Sequence, residues 1–318
     1  MSVNNKEVHK IFQSLGLNVE RIEKIDTLAN YLTKVQTNKG NYFLKVYKNA
    51  EESRTGYKLS NLYPLLLNYN IPVPQILKYD DSLNLIMHPY LIMSEVEGDM
   101  LYNSINTMNK ETKYKIFNNL GKILARIHSI NFDKFGETFD GKKVQGFSEI
   151  GFKGPFDKWK NMHKEIIKYR LSLFKGSSFE EFINPTLKWF EKNKYLIDYN
   201  ITPRLLHIDL NQKNIFIKNN EISGIVDFDG AFVGHNEEEL MRLENANFGK
   251  DTKLRSSFYD GYNNIINLDE GYEERRTFYY LSRLLVHIDC LISFGSNYVN
   301  NPGKEEKLMK DELNNILK

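Results

Sequence analysis

The sequence has little of what would mark a secreted, membrane-spanning or nucleic-acid-binding protein. Its 318 residues include a single cysteine, Cys290, which excludes a disulfide framework and a cysteine-built zinc site. The 43 Lys+Arg and 41 Asp+Glu residues nearly cancel, and a net charge of +2 gives no bulk attraction to nucleic acid or anionic membrane. No apolar run approaches the roughly 20 residues that span a bilayer. The first residues also lack the basic-then-apolar layout of a signal peptide. These absences predict a cytoplasmic protein that binds neither nucleic acid nor membrane.

A chain of 318 residues is long enough for two lobes, and the predicted secondary structure changes from mostly strand to mostly helix near residue 97. Strand-like runs at 33–37 and 41–47 flank the turn signal Asn38-Lys39-Gly40. A helix is predicted over about 52–67, where Pro64 is expected to kink or end it. Further strands are predicted at 83–87 and 89–94, and Gly98 is the candidate hinge between lobes.

The second part, residues 98–318, reads as mainly helical. The predicted helices cover about 110–130, 156–174 and 179–199, and most of the 230s to 290s. A short β segment at 205–228 interrupts them, and it contains most of the residues that suggest chemistry.

That segment reads as an apolar hairpin with polar residues at its open end. Strand runs 215–217 and 222–226 flank the turn residues 219–221. Asn214 and Asp227 lie symmetrically about that turn, so their side chains are expected to emerge together. An amide oxygen beside a carboxylate suits Mg²⁺, which accepts phosphate oxygens as further ligands. Asp209 precedes the hairpin and could orient a hydroxyl and take its proton. The alternative is an ordinary hairpin with polar ends.

The spacing of His207, Asp209 and Asn214, followed by Asp227 after a hairpin, resembles the aminoglycoside phosphotransferase/choline kinase family. The resemblance implies an α+β, bilobal protein-kinase-like fold. Its small amino-terminal antiparallel β-sheet lobe (1–97, hinge about 94–98) would bind nucleotide, and a larger, mainly helical lobe (98–318) would bind substrate. It also implies that Asp209 is the catalytic base and that Asn214 and Asp227 bind Mg²⁺.

The same resemblance assigns nucleotide contacts in the first lobe. Lys45 matches the strand lysine that binds the α- and β-phosphates of ATP or GTP, although a solvated strand lysine is the alternative. Glu52 is the expected partner of Lys45, and it could instead favour the helix terminus through the dipole. Backbone groups of Ser94 and Val96 would contact adenine. The phosphate loop at 27–31 has no glycine.

The pattern also departs from the family. Ile208 stands where a glycine is usual, and Glu239 replaces an aspartate in the stretch 234–240. His287-Ile-Asp289 repeats the first half of the catalytic motif on a predicted helix, where Phe294 takes the place of the asparagine. This repeat is read as a decoy.

Charge distribution suggests the acceptor. Residues 201–300 carry 10 Lys+Arg and 15 Asp+Glu, which would attract a cationic small molecule with a hydroxyl. Aminoglycosides are therefore the leading expectation, with substrate contacts assigned to Asp229, Glu238, Glu239, Asp260 and Glu270. The alternative for these acids is a set of solvated helix faces.

Two other functions stay open: a kinase of a sugar, fructosamine, choline, homoserine or macrolide, and a non-catalytic kinase-fold protein. A monomer or weak homodimer is expected.

Overall fold

A computed structural model describes residues 3–25 and 30–318, and it places a small sheet before a larger helical part. Of the predicted phosphate loop at 27–31, only Asn30 and Tyr31 lie within the described residues. Among the helices that are described, none is long and apolar enough to cross a membrane.

The first part is built on an antiparallel sheet with the strand order β1-β2-β3-β5-β4. The elements follow one another as α1 (Asn5–Gln13), β1 (Val19–Ile25), β2 (Tyr31–Thr37), β3 (Gly40–Val46), α2 (Ala50–Asn68), β4 (Ile76–Asp80) and β5 (Tyr90–Ser94). Alternating residues of β2 and β3, among them Val35 and Leu44, are buried against Ile11 and Phe12 of α1. The predicted β2–β3 hairpin is confirmed, with Thr37 paired to Gly40 across the turn.

The strand predicted at 83–87 is wrong, and β4 takes its place in the sheet. Asp80 begins a turn in which its carboxylate accepts hydrogen bonds from the Ser82 N–H (3.0 Å) and hydroxyl (2.6 Å). Leu83 then adopts a φ of +59°, and Met87 is 78% exposed, so the apolar residues here do not form one face of a strand.

The second part combines three short sheets with a set of long helices. Its first elements are β6 (Asp99–Met100), α3 (Leu101–Ser104), α4 (Lys110–His128), β7 (Glu137–Thr138), β8 (Val144–Gln145), α5 (Trp159–Ser172) and α6 (Ile183–Asn193). They are followed by β9 (Arg204–Leu206), β10 (Ile215–Lys218), β11 (Glu221–Ile225), β12 (Phe232–Gly234), α7 (Asn236–Asn247), α8 (Thr252–Asn263), α9 (Tyr272–Phe294) and α10 (Pro302–Ile316). Together with the first sheet, these elements show the predicted α+β, kinase-like architecture.

The two parts share a hydrophobic core. One cluster of buried side chains runs from Leu59 of α2 through Leu91 of β5 to Phe117 of α4, and on to Ile225 of β11 and Phe258 of α8. This continuity holds the sheet on the helical part, so residues from both meet at one cleft. The division at residue 97 stays a prediction.

The hairpin of β10 and β11 forms as predicted, but its register differs by one residue. Ile215 pairs with Ile225, and the Val226 N–H donates to the Asn214 carbonyl (3.0 Å). Asn214 therefore lies opposite Val226 instead of Asp227. An irregularity after Phe216 changes the pairing further towards the turn, which counting positions from the turn could not anticipate.

Candidate active site

Asp209 lies in the loop after β9, with its side chain open to the cleft. The Asn211 amide donates to Asp209 Oδ1 (3.1 Å), and the Asn214 amide contacts Asp209 Oδ2 (3.3 Å). The same Asn214 amide donates to the Asp209 carbonyl at 2.8 Å. Both carboxylate oxygens are thus oriented by amides, and the carboxylate can still receive a proton from a molecule in the cleft.

His207 joins the catalytic loop to the end of β11. Its Nε2–H donates to the Val226 carbonyl (2.9 Å), and its Nδ1 accepts a hydrogen bond from the Asp209 N–H (3.3 Å). These two bonds require the neutral tautomer with the proton on Nε2. The ring also packs on Phe228 with 4.2 Å between centroids. His207 therefore positions Asp209 relative to Asp227 without reaching the cleft, because its side chain is fully buried.

Glu239 of α7 holds the backbone of the loop that precedes Asp209. Its two carboxylate oxygens accept hydrogen bonds from the backbone N–H groups of His207 (2.9 Å) and Ile208 (2.7 Å), and His128 Nε2 lies 2.9 Å away. Burial opposes ionisation, but the hydrogen bonds and charge of His128 outweigh it and lower the pKa of Glu239. The predicted contact of Glu239 with substrate is wrong, because its side chain is only 1% exposed and is occupied by the loop.

Ile208 holds an unusual backbone conformation between His207 and Asp209. Its φ is +70°, a region that is strongly disfavoured for a β-branched residue. The side chain is partly buried, and it packs against a hydrophobic cluster that includes Trp159 of α5 and Leu284 of α9. The bonds from Glu239 fix the backbone that Ile208 must adopt, which explains why a glycine would suit this position.

We expect glycine to be more stable than alanine at position 208. Ile208→Gly and Ile208→Ala both remove the packed side chain, but only glycine adopts the left-handed backbone without strain. The free energy of unfolding of Ile208→Gly should therefore be about 1 kcal/mol higher than that of Ile208→Ala. Urea unfolding of the two variants measures this difference. At Lys213, an exposed turn residue without a positive φ, the same pair of variants should show the reverse order. Equal stabilities of the two position-208 variants would contradict the assigned strain.

Asn214 and Asp227 offer hard oxygen ligands at one end of the hairpin. The Asn214 amide nitrogen is engaged with Asp209, which leaves the amide oxygen for another partner. Desolvation by the surrounding protein raises the pKa of the Asp227 carboxyl, and the charge of Asp229 raises it further. A dication would favour the ionised carboxylates of Asp227 and Asp229, so the amide oxygen of Asn214 and the carboxylate of Asp227 fit Mg²⁺. Asp227 itself has a φ of +71°, which turns the chain sharply after β11.

Lys45 of β3 reaches across the cleft and forms an ion pair with Asp229. Glu52 is not its partner, contrary to prediction. It lies in the first turn of α2, where its carboxylate accepts from the Lys48 N–H and the Asn49 amide (both 3.1 Å). Asp229, predicted to contact substrate, is therefore placed on the lysine side of the cleft.

Lys58 of α2 binds the segment that follows Asp227. Its ammonium donates to Glu137 Oε1 (2.7 Å) and to the backbone carbonyls of Asp229 (2.6 Å) and Ala231 (3.2 Å). Sequence analysis missed this role, because Glu137 lies 79 residues away and nothing local connects the two.

Ser94 and Val96 lie at the end of β5, beside the hairpin. The Ser94 N–H donates to the Gln75 carbonyl (2.8 Å), so only its own carbonyl could contact adenine. The Val96 side chain packs so closely on Gly224 of β11 that a Cβ there would lie 2.4 Å from it. The adenine contacts stay a prediction.

The other predicted acceptor residues do not converge on Asp209. Glu238 is buried and accepts hydrogen bonds from Arg242 and Ser282 (both 3.0 Å), so it is not a substrate carboxylate. Asp260 is exposed on α8. Glu270 lines a separate cavity of about 320 Å³, to which neither Asp209 nor Asp227 contributes.

Comparison with known proteins identifies the family of this chain. Residues 26–278 match the family model described as "Phosphotransferase enzyme family", a range that contains Lys45, Asp209, Asn214 and Asp227. The chain belongs to the phosphotransferase enzyme family. As a member of that family it is a small-molecule phosphotransferase that acts on a hydroxyl group.

Two relatives within the phosphotransferase enzyme family are sugar-amine kinases by name. The chain is 24% identical over 309 residues to a proposed ketoamine kinase of Enterococcus faecium, and the match covers 92% of this chain and 96% of the relative. It is 29% identical over 186 residues to a chloroplastic protein-ribulosamine 3-kinase of Arabidopsis thaliana. That second match covers 56% of this chain and about half (52%) of the plant protein.

Solved structures share the fold along nearly the whole chain. A proposed fructosamine-3-kinase of Thermobifida fusca superposes with a TM-score of 0.69 at 20% identity, covering 99% of both chains. The aminoglycoside phosphotransferase APH(4)-Ia superposes with a TM-score of 0.72 at 13% identity, covering 99% of this chain and 98% of the other. At these identities the likeness shows the kinase-like fold and leaves the acceptor open.

Proposed function

We propose that this phosphotransferase transfers the γ-phosphoryl group of ATP or GTP to a hydroxyl of a ketoamine, the adduct of a sugar with an amine. The full-length relative named for ketoamines supports this acceptor over an aminoglycoside, since the aminoglycoside phosphotransferases are similar only in fold. An aminoglycoside phosphotransferase solved with ADP supports a nucleotide as the second substrate.

The burial of the acidic residues is the observation that favours this acceptor. Glu237 is paired with Arg275 (2.6 Å), Glu238 is paired with Arg242, and Glu239 accepts hydrogen bonds from backbone N–H groups, so these three carboxylates of α7 are occupied inside the protein. These carboxylates are therefore not available to attract a polycationic antibiotic. The sugar part of a ketoamine carries hydroxyls and a single amine linkage, so its recognition does not require an acidic surface.

The nucleotide side of the reaction is assigned to the lysine and the hairpin end. Lys45 would bind the α- and β-phosphates, exchanging its present contact with Asp229 for phosphate oxygens. Asn214 and Asp227 would hold Mg²⁺, which when bound neutralises phosphate charge. Lys58 keeps the backbone of Asp229 in place during this exchange, because it binds the carbonyl and not the carboxylate.

The acceptor side is assigned to Asp209. Its carboxylate orients the attacking hydroxyl and takes its proton as the new P–O bond forms and the bond to the β-phosphate oxygen breaks. The amides of Asn211 and Asn214 hold the carboxylate in one orientation, so alignment of the hydroxyl requires no reorganisation of the loop.

Nucleotide turnover across an acceptor panel tests this function. With Mg²⁺ and either ATP or GTP, ribulose and fructose adducts of glycine and glycinamide should show kcat/KM at least roughly 100-fold above that for kanamycin. Removal of Mg²⁺ with EDTA should abolish turnover, and the free sugars and amines serve as controls. Turnover of kanamycin without turnover of any adduct would overturn the ketoamine assignment.

A further inference from the structure

Helix α9 carries a group of polar side chains that the reaction described above does not use. Arg283 and His287 lie one turn apart on this helix, and the Tyr298 hydroxyl is 3.0 Å from His287 Nδ1. Burial and the charges of Arg283 and Arg242 lower the pKa of His287 to about 4, so its ring is neutral at physiological pH. We call these three residues, Arg283, His287 and Tyr298, the α9 cluster.

Hydrogen bonds connect helix α9 to the loop of Asp209 through helix α7. Glu239 of α7 binds the backbone at His207 and Ile208, and the neighbouring Glu238 accepts a hydrogen bond from Ser282 of α9 (3.0 Å). Arg283 follows Ser282 directly. Ile208 packs against the hydrophobic cluster to which Leu284 and Ile288 of α9 contribute, so this helix packs with the loop of Asp209. In agreement with that packing, the charge of Asp209 acts to raise the pKa of both Arg283 and Tyr298, against the larger and opposite effect of burial on Arg283.

Arg283 has no partner among the described residues. It makes no hydrogen bond or ion pair there, and its Nε is buried without an acceptor. Burial, and then the charge of Arg242, lower the pKa of this guanidinium. The neighbouring arginines differ: Arg242 pairs with Glu238 at 3.0 Å, and Arg170 pairs with both Asp289 and Glu149. A half-buried guanidinium that makes no ion pair is an arrangement that an anionic ligand would stabilise.

We propose that Arg283 binds an oxyanion carried by the acceptor, a carboxylate or a phosphate, while Asp209 engages the acceptor hydroxyl. This inference rests on the proposed kinase function and specifies its substrate. It selects ketoamines whose amine component is an acid, such as an amino acid, over those of neutral amines. The Tyr298 hydroxyl and the neutral His287 ring are suited to hydrogen-bond the same anion or the polar atoms next to it.

Three matched adducts of one sugar test this inference. Those of glycine, glycinamide and O-phosphoethanolamine differ in whether they carry a carboxylate, no anion or a phosphate. We expect kcat/KM for an anionic adduct to exceed that for the glycinamide adduct by about 10- to 100-fold, mainly through KM. The adduct with the higher value identifies the anion. A preference for the neutral adduct would overturn the proposal.

Arg283→Gln should remove this preference. The value of kcat/KM for the anionic adduct should fall to that of the glycinamide adduct, which itself should stay within about threefold. Arg283→Lys keeps the charge and should retain part of the preference. Arg276→Gln is the matched control, because Arg276 lies on the same helix but pairs with Glu244 and Glu273. It should leave the preference unchanged. An equal fall in kcat for all adducts in Arg283→Gln would show that the guanidinium acts on the transferred phosphoryl group, and it would overturn the proposal.

Failure of the ketoamine function can be separated from failure of this inference. If no adduct is phosphorylated, the same comparison is made between gluconate and glucose. Turnover of gluconate that loses its advantage in Arg283→Gln supports the anion site while rejecting ketoamines. The anion site is rejected if neither sugar is turned over or if glucose is preferred.

Discussion

Replacement of Asp209 by asparagine should lower kcat by about 10³-fold while the protein stays folded. Asparagine keeps the size and shape of the side chain, and its amide oxygen can still accept the hydrogen bond that Asn211 donates. It cannot take a proton from the acceptor hydroxyl, because an amide is a far weaker base than a carboxylate. The measurement is steady-state nucleotide turnover with the best acceptor, together with urea unfolding to show that stability is retained.

The pH profile distinguishes proton transfer from mere positioning. In the wild-type protein the acidic limb of the kcat profile should report an ionisation of the active site, and in Asp209→Asn that limb should be lost or displaced. Asp260→Asn is the matched control, since Asp260 is an exposed aspartate of α8, and it should leave kcat unchanged. A kcat for Asp209→Asn within threefold of wild type would reject Asp209 as the base.

Local patterns in the sequence predict the elements that carry the candidate site. The β2–β3 and β10–β11 hairpins form where alternating apolar residues flank turn residues, since such contacts need only nearby positions in the chain. The family resemblance adds the kinase-like fold, which the similar structures show. Pro64 was expected to kink or end α2, and of these two outcomes the end is excluded, because the helix continues through Pro64 to Asn68.

Long-range pairing decides the features that could not be predicted. The acids of α7 look like a solvated or substrate-facing run, yet the helix is buried and its carboxylates meet arginines and histidines from distant segments. Counting charge by segment does not reveal this pairing, and an acid that is paired inside the protein contributes little attraction to a ligand. The pair of Lys45 with Asp229 spans 184 residues and has no local signal either.

A partial repeat of a sequence motif does not by itself predict a site, as the residues His287 and Asp289 show. His287-Ile-Asp289 lies on α9, as predicted, and it does not form a second catalytic loop. Its histidine lies 3.0 Å from the Tyr298 hydroxyl instead. The repeat does not act as a catalytic motif because its residues occupy a helix.

Loss of the Lys58–Glu137 pair should have the largest effect on stability. The two side chains are 3% and 5% exposed, and Lys58 also binds the carbonyls of Asp229 and Ala231. Lys58→Met leaves the Glu137 carboxylate buried without its cation, so the free energy of unfolding should fall by about 3–5 kcal/mol. Urea unfolding measures the change. Nucleotide turnover should fall as well, because the segment after Asp227 loses the two hydrogen bonds that attach its backbone to Lys58 of α2.

A double variant and an exposed pair show whether the buried charge is the cause. Glu137→Gln removes the charge but keeps an oxygen for the Ser148 N–H (3.1 Å). The double variant Lys58→Met/Glu137→Gln should therefore recover at least about 2 kcal/mol relative to Lys58→Met. Lys115 and Glu221 form a pair at 3.2 Å that is 65% and 63% exposed, and Lys115→Met should change stability by less than about 1 kcal/mol. A double variant no more stable than Lys58→Met would show that lost hydrogen bonds to the backbone, and not an unpaired carboxylate, make Lys58 essential to the junction of α2 with the segment after Asp227.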